Sequence, residues 1–327
     1  MNTREHILSV LRREGEWSVK QLSDKINVSR QRIHQVLREL LAEGSVRKLG
    51  SSPRVFYQIR SESRQKESNI PSGIQPHESV FLNEHFLTIS PLGEILEGEE
   101  GFKYWCEQRK LPFLKTVNEY ILTLQKYQTY FQENGLIEGS KKLNSTKGLM
   151  NVLNAVYYAD FYEIERFGKT KLGALLHHAK VSQSKRLMKG IINVTKDRLY
   201  KLIEQWNIEA VGYIPPTLKR NIQIMDELRI GYNVPLYHVR IEKVFMKEPV
   251  PQKSLKRIED RIVNAHSTIV VPELNTFKTI LLIDDALGSG ATMIETARKV
   301  FNRGVALEVI GFAVTGSFKG FEVIAEL

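Results

Sequence analysis

The stretch 280-ILLIDDALGSGATM-293 is an apolar run that stops at two adjacent carboxylates and passes directly into a loop of small residues. An all-apolar run fits a strand of a parallel sheet covered on both faces, and such sheets present ligands at the carboxyl ends of their strands. Asp284 and Asp285 stand at that end. The following 293-MIETARKVFNRG-304 reads as a helix whose N-terminus faces the loop. Backbone N–H groups of a small-residue loop, aimed by the start of a helix, form an anion site. A carboxylate cannot bind that anion, so the two acids need a different partner. Ribose hydroxyls are the natural one, because an ionised carboxylate accepts hydrogen bonds and a pentose phosphate carries both features.

ILLIDDALGSGAT resembles the phosphoribosyl-pyrophosphate (PRPP) motif of type I phosphoribosyltransferases, in which a strand ends in two acids and a loop ends in Gly-x-Thr. The resemblance implies that Asp284 and Asp285 hold the ribose 2′ and 3′ hydroxyls. Ala286, Leu287, Gly288, Ser289, Gly290, Ala291 and Thr292 would wrap the 5′-phosphate. Gly288 stands where many members have threonine. Upstream, 211-VGYIPPTLKR-220 resembles the strand and pyrophosphate loop of the ComF-like branch, which assigns phosphate contacts to Pro215, Pro216 and Thr217, and Gln223 falls where that branch has a glutamine. Gln252 and Leu255 in 251-PQKSLKRIEDRIVNA-265 match its Gln-x-x-Leu pattern, with Arg261 and Asn264 one residue beyond the usual spacing. Lys180 matches a family lysine. The resemblance spans about residues 155–317.

By that resemblance the reaction is displacement of pyrophosphate from C1 of PRPP by a nitrogen nucleophile. Catalysis would come from positioning and charge stabilisation rather than covalent chemistry. Asp284, Asp285, Arg220 and Arg261 are the expected catalytic residues, and the Arg257–Arg261 segment is expected to close over the site as a loop. Mg2+ is the expected cofactor, held mainly by substrate oxygens rather than by a protein cage. The base-binding element is expected within 153-LNAVYYADFYEIERFG-168, and nothing there distinguishes a purine, a pyrimidine or ammonia as acceptor. His177 and His178 lack a further ligand at metal spacing and read as surface or satisfied histidines.

The charge of the chain points to a second function at the other end. The formal net charge is +10 over 327 residues, yet residues 1–60 hold twelve Lys or Arg against six Asp or Glu. A basic excess concentrated in under a fifth of the length favours a polyanionic partner. In the same segment three helical patterns follow one another, capped by Thr3, Ser18 and Ser29, with stripes at Ile7, Leu8 and Leu11, at Val19, Leu22 and Ile26, and at Ile33, Val36, Leu37, Leu40 and Leu41. Gly44 ends the third helix, and two alternating segments, 45-SVRKL-49 and 54-RVFYQI-59, flank a GSSP turn. Three helices closed by a hairpin resemble the winged helix-turn-helix of bacterial transcription regulators. The second of the paired helices then enters the major groove with Arg30, Gln31, Arg32, His34, Gln35 and Arg38, while Arg47, Lys48 and Arg54 of the wing meet the backbone. A protein-interaction module is the other reading of the same helices; the basic helix and basic wing favour DNA or structured nucleic acid.

The expected fold is a multidomain α/β protein. A winged helix-turn-helix covers 1–60, a linker 61–85, a mainly helical connecting or oligomerising region 86–150, and a phosphoribosyltransferase-like parallel sheet with flanking helices 151–327. Within the middle region, 111–135 reads as one long amphipathic helix, and beyond it 171–206 reads as helical and 208–214 as a strand. A homo-oligomer is expected from the amphipathic middle helix. One cysteine, Cys106, excludes a disulfide framework and a zinc site built on cysteine pairs. No apolar run approaches the roughly 18 residues of a membrane span, and the charged start MNTREHILSVLRREGEW is unlike a signal peptide, so a cytoplasmic protein without a membrane partner is expected.

Three functional readings are open at this stage. One is an active phosphoribosyltransferase fused to a nucleic-acid-binding module. Another is a transcription regulator that uses the domain to sense PRPP. A third is a nucleotide-targeting effector, by resemblance to accessory proteins of bacterial anti-phage retron systems.

Overall fold

The computed structural model describes residues 2–51, 53–60, 73–146, 148, 150–244, 250, 255 and 257–318. The chain divides into two compact units, Met1–Gly73 and Ile74–Leu327. In the first, α1 (Thr3–Glu14), α2 (Val19–Ile26) and α3 (Arg30–Ala42) are followed by an antiparallel hairpin of β1 (Val46–Ser51) and β2 (Arg54–Ile59). Asn2, rather than Thr3, caps α1: its side chain accepts from Arg4 N while Glu5 accepts from the Asn2 N–H, which satisfies two free donors at once. Ser18 and Ser29 cap α2 and α3 as expected. Asn27 takes the left-handed conformation at φ +57° and turns the chain between them. The three stripes meet at Ile7, Leu11, Leu22, Ile33, Val36, Leu37 and Leu40, closed by Val46 and Tyr57 of the hairpin. Trp17 pairs with Tyr57 through two backbone hydrogen bonds of 2.8 and 3.0 Å, which fastens the α1–α2 turn to the wing.

The first part of the expected linker, 61–72, lies outside the described residues. Its end is helical: α4 spans Pro76–His85. Pro76 suits the first turn, where its missing N–H is no loss, and the Glu78 carboxylate accepts from Gln75 N at 2.6 Å. The polar composition that reads as linker here builds the start of a helix. A small antiparallel pair follows, β3 (Leu87–Ile89) with β4 (Ile95–Glu97), and then α5 (Gly98–Gln108) and α6 (Phe113–Gln128). The expected 111–135 helix therefore starts after Pro112 and stops at Gln128, short of the turn at Gly135, φ +76°.

Residues 86–150, read as a mainly helical connecting or oligomerising region, lie in the same compact unit as the sheet. Phe86, Phe102 and Tyr120 form an edge-to-face and tilted cluster with centroids 4.8–5.6 Å apart, and Tyr120 and Trp105 meet Phe167 at 5.1 and 5.9 Å. These rings share one core with sheet residues Val156, Tyr158, Leu282 and Val309. The region also supplies β5 (Ile137–Glu138), the antiparallel edge of the main sheet, and the short α7 (Ser140–Ser145).

The main sheet starts with β6 (Ala155–Phe161), followed by the small pair β7 (Glu163–Ile164) and β8 (Gly168–Lys169). The expected helical stretch 171–206 is two helices, α8 (Lys171–Ser182) and α9 (Lys185–Gln205), broken where Gln183 takes φ +53° and Ser184 caps the second. Then come β9 (Ala210–Tyr213), α10 (Ile224–Tyr232), β10 (Tyr237–His238), β11 (Glu242–Lys243), α11 (Ile258–Thr268), β12 (Ile269–Val270), β13 (Phe277–Leu287), α12 (Ala291–Asn302) and β14 (Ala306–Gly316). The sheet order is β10-β9-β13-β14-β6-β5, with every pair parallel except β6 with β5; β11 pairs with β12 apart from it. Strand periodicity sorts the core into two layers. Val156, Tyr158, Ile280, Leu282, Val309 and Ala313 face α12, and Ala155, Tyr157, Leu281, Ile283, Ile310 and Phe312 face α8, α9 and α10. No helix among the described residues is long and apolar enough to cross a membrane.

The topology fixes where a ligand enters. After β9 the chain returns to the sheet through α10, which packs on one face, and the connection leads outward to β10. After β13 it returns through α12 on the opposite face and leads the other way to β14. Between β9 and β13 the connections diverge, leaving a crevice at the carboxyl ends of the two strands. Because the aromatic layer of α5 and α6 is part of this core, Phe102→Ala is expected to destabilise the larger unit by about 3–5 kcal/mol. Denaturant unfolding followed by tryptophan fluorescence checks this, and a loss under about 1 kcal/mol would show that the layer packs independently.

Candidate functional site

A cavity of about 410 Å³ opens at the crevice. Its walls come from the chain after β9, from the end of β13 and the loop into α12, from the end of β14, and from single residues of α8, α9, β11 and α11. Of the residues that the sequence assigns to phosphoribosyl chemistry, Asp284, Asp285, Arg220, Arg261, Pro215, Pro216, Thr217 and all of Ala286–Thr292 line this one cavity. Lys180, 105 residues before Asp285, lines it as well.

The acids sit where the apolar run ends its burial. Ile280, Leu281, Leu282 and Ile283 are fully buried, and Asp284, Asp285 and Ala286 are half-buried at the mouth. The strand continues past the acids to Leu287, still paired with β14 at Gly316. Asp285 N donates to Asp284 Oδ1 at 2.7 Å. Lys180 Nζ lies 2.8 Å from Asp285 Oδ2 in a pair whose side chains are 23% and 16% exposed. Burial first, and then the charge of Asp285, push the Asp284 carboxyl up to about 7, against the pull of the Asp285 N–H and of Lys180 and Lys243.

The loop after β13 has the form of an anion nest. Gly290 takes the left-handed conformation, φ +81°, immediately before α12, and a Cβ there would lie 2.5 Å from Leu143 Cδ2. No side chain caps α12, and Ser289 Oγ lies 3.5 Å from Ala291 N. The first-turn amides therefore face the cavity with capacity to spare.

Cations outnumber acids in the lining. Lys180, Arg220, Lys243 and Arg261 stand against Asp284 and Asp285 among the described residues. Lys243, which sequence reasoning missed, donates to Thr217 Oγ1 at 2.6 Å and ties β11 to the loop after β9. Burial holds its ammonium below the usual lysine range, with Asp284 acting the other way. A lone lysine outside any motif carries no sequence signal. Arg220 donates to the Lys180 carbonyl oxygen, and Gln183 Oε1 accepts from Ile222 N at 3.0 Å, so the end of α8 holds the loop after β9. Arg261 Nε donates to Leu255 O at 2.9 Å.

Several expected details fall elsewhere. The Arg257–Arg261 segment, read as a closing loop, is the first turn of α11 with Arg257 at its N-cap, because Glu259 and Asp260 favour a helix start there. Of the 153–168 stretch, read as a base-binding element, Ala155–Phe161 is β6, a buried strand inside the sheet, and Tyr162 is its one residue in the cavity wall. Gln223, at the N-cap position of α10, does line the cavity, and its side chain donates to Leu218 O at 2.8 Å. Asn264 lies on α11, and Gln252 lies outside the described residues. His177 Nδ1 is 3.2 Å from the Tyr162 hydroxyl. Among the described residues no group of three or more His, Cys, Asp or Glu could hold a metal ion.

In the amino-terminal unit, Arg30, Gln31, Arg32, His34, Gln35 and Arg38 are all exposed on α3, opposite its buried stripe. Arg32 Nη1 donates to Gln35 Oε1 at 2.9 Å, which aligns two of them one turn apart. Lys48 and Arg54 are exposed on the hairpin. Arg47 is half-buried and spends two donors on Gln58 Oε1, at 2.8 and 3.0 Å, with Gln58 in turn donating to Glu16.

No curated protein matches the sequence. Among solved structures, the chain is similar to the adenine phosphoribosyltransferase of Trypanosoma brucei in complex with AMP, pyrophosphate and ribose-5-phosphate. That likeness has 14% identity and a TM-score of 0.28 over 50% of this chain and 83% of that one. It is also similar to the UMP synthase of Leishmania donovani, at 13% identity and a TM-score of 0.24, over 50% of this chain and 34% of that one. At the amino-terminal end, residues 2–47 match the family of winged helix-turn-helix DNA-binding domains.

Proposed function

We propose that residues 74–327 bind PRPP at the crevice between β9 and β13 and transfer its phosphoribosyl group, and that residues 1–60 bind DNA. The observation that carries the first half is the gathering of two acids, four cations and an uncapped helix N-terminus in one cavity at a topological switch point. A ligand with several anionic groups and a diol matches that charge pattern. A nucleotide-fold strand with a chance Asp-Asp would not collect four cations from separate elements.

In this reading Asp284 and Asp285 accept the ribose hydroxyls, the amides of the loop into α12 and the Ser289 and Thr292 hydroxyls receive the 5′-phosphate, and Thr217 with Lys243 and Arg220 faces the pyrophosphate. The C1–O bond to pyrophosphate breaks and the leaving group keeps the electron pair. The nitrogen of the acceptor forms the new bond to C1 and sheds its proton. The positive excess stabilises charge on the leaving oxygens and asks for no covalent intermediate on the protein. Asp284 and Asp285 are hard oxygen donors of the kind Mg2+ takes alongside phosphate oxygens, and the bound ion would neutralise pyrophosphate charge. When a diol engages Asp285, the Lys180 ammonium is free to turn to a phosphate oxygen within its reach.

The DNA half rests on the family match over residues 2–47 together with the exposed basic face of α3. The presence of that unit also supports a second reading, in which PRPP occupancy regulates DNA binding and turnover is secondary.

Incubation with PRPP, Mg2+ and a panel of bases, with pyrophosphate release as readout, tests the transfer. Asp284→Asn combined with Asp285→Asn is expected to reduce release at least about hundredfold; undiminished release would sink the assignment. PRPP binding without release would favour the regulatory reading. Since an ionised Asp284 is the better acceptor for a ribose hydroxyl and its folded pKa is raised, PRPP affinity is expected to climb as pH rises through neutrality, with the climb absent in Asp284→Asn. An affinity that is flat between pH 6 and 8 would contradict this role. For the winged helix, Arg30→Ala with Arg32→Ala is expected to weaken duplex binding and to lower the salt slope of log K by about 1–2. A fluorescence-anisotropy salt titration measures this; an unchanged slope would move the interface away from α3.

A further inference from the structure

The proposed transfer leaves one proton without a destination. The acceptor nitrogen sheds it at C1, where the two acids are already engaged by ribose hydroxyls. Tyr162 lines the same cavity, and its hydroxyl lies 3.2 Å from Nδ1 of His177, an acid–base partner outside the cavity wall. One face of α8 builds this pair. Gly173, His177 and Lys180 are spaced four and three residues apart and so share that face. At Gly173 a Cβ would lie 2.0 Å from the Tyr162 carbonyl oxygen, so glycine is what lets the helix approach this closely. One turn on, His177 reaches the Tyr162 hydroxyl, and a further turn on Lys180 reaches Asp285. The Tyr162–His177 pair is therefore set about one helical turn, roughly 5 Å, from the pair that holds the second acid.

The rest of Tyr162 is fixed as well. Its N–H donates to Gly316 O at 2.8 Å, at the end of β14, and its carbonyl accepts from Thr170 N at 3.3 Å. The side chain is half-buried, and Lys169 Nζ sits 5.7 Å from the ring centroid, where a cation favours negative charge developing on the phenol oxygen. Burial first, and then the charge of Glu163, hold the phenol above its usual range, so it enters the reaction protonated. A phenol that donates to a neutral imidazole keeps its oxygen lone pairs for a donor in the cavity. Strand order puts the pair on the flank where such a donor arrives. β9, whose following loop faces the pyrophosphate in the proposed reaction, lies on one side of β13, and β14 and then β6 lie on the other. Tyr162 follows β6, opposite the leaving group, which is the side from which an aligned nucleophile enters at C1.

We propose that Tyr162 is a catalytic residue on the acceptor side of this cavity, with His177 as the positioning residue that orients the phenol and takes its proton. As the nitrogen bonds to C1 and the C1–O electron pair leaves with pyrophosphate, the N–H proton passes to Tyr162 Oη and the phenol proton passes to His177 Nδ1. The imidazolium then returns a proton to water. The acceptor class is thereby a nitrogen nucleophile that still carries its proton when it attacks, rather than a preformed anion. The inference rests on the transfer proposed above.

Pyrophosphate release by the full chain with PRPP, Mg2+ and adenine, uracil or ammonium chloride tests it. Tyr162→Phe keeps the ring and its packing and removes only the hydroxyl. It is expected to lower kcat about hundredfold with the best of these acceptors and to leave KM for PRPP within about threefold. His177→Gln can hold the phenol but cannot take its proton, and is expected to lose about tenfold in kcat. His177→Ala is expected to regain part of its lost rate when imidazole is added, which a histidine that only packs would not allow. Tyr162→Phe or His177→Gln turning over at the natural rate overturns the inference and leaves the transfer standing. The same holds if Tyr162→Phe loses PRPP affinity in step with kcat, or if His177→Ala is indifferent to imidazole. A natural protein that releases no pyrophosphate with any of the three acceptors removes the transfer, and the inference with it.

Discussion

The site depends on one topological constraint: β9 and β13 lie side by side while the chains that follow them leave to opposite faces of the sheet. The connections leave the gap open, so the carboxyl ends of two largely buried strands face a crevice. The end of β13 delivers half-buried acids to it and the chain after β9 delivers a proline-bearing loop. The uncapped start of α12 follows from the same geometry, since the helix must begin at the crevice to return over its own face. Everything polar in the cavity is set by where these two strands end.

The charge balance of the cavity follows from burial as much as from composition. Asp284 is taken out of water beside another acid, which disfavours its charge, and Lys180 and Lys243 act the other way; the four cations of the lining come from four different places in the chain. Lys180 reaches from α8, Lys243 from β11, Arg261 from α11 and Arg220 from the loop after β9. Each has a partner already: a carboxylate for Lys180, a threonine hydroxyl for Lys243, and backbone carbonyls for the two arginines. A ligand entering the cavity competes with these contacts, and the positive excess remains when it does.

Local signals were legible in the sequence and long-range ones were not. The 280–292 stretch announces strand, acids, loop and helix start because each is a neighbour of the next. The stripes of α1, α2 and α3 and the hairpin were equally plain, with the cap misplaced by one residue between Asn2 and Thr3. The break between α8 and α9 was missed because Gln183 adopts a left-handed conformation that its type does not advertise. Residues 86–150 read as a connector because their aromatics look the same in sequence whether they pack against a sheet, a partner or each other. Lys243 could not be found from spacing: it reaches the crevice through tertiary contacts made by a segment with no motif.

The sheet is also bounded in a way that bears on solubility. Its edge strands, β10 and β5, are each two residues long, whereas β13 and β14 inside it run for eleven. A long bare edge on a parallel sheet offers a row of unpaired amides and carbonyls that another chain can extend. Here the row is cut to a length that holds few hydrogen bonds, and the antiparallel β5 reverses the pattern presented on its side. The chain thereby keeps a long, strongly apolar interior ladder without exposing a template for strand addition.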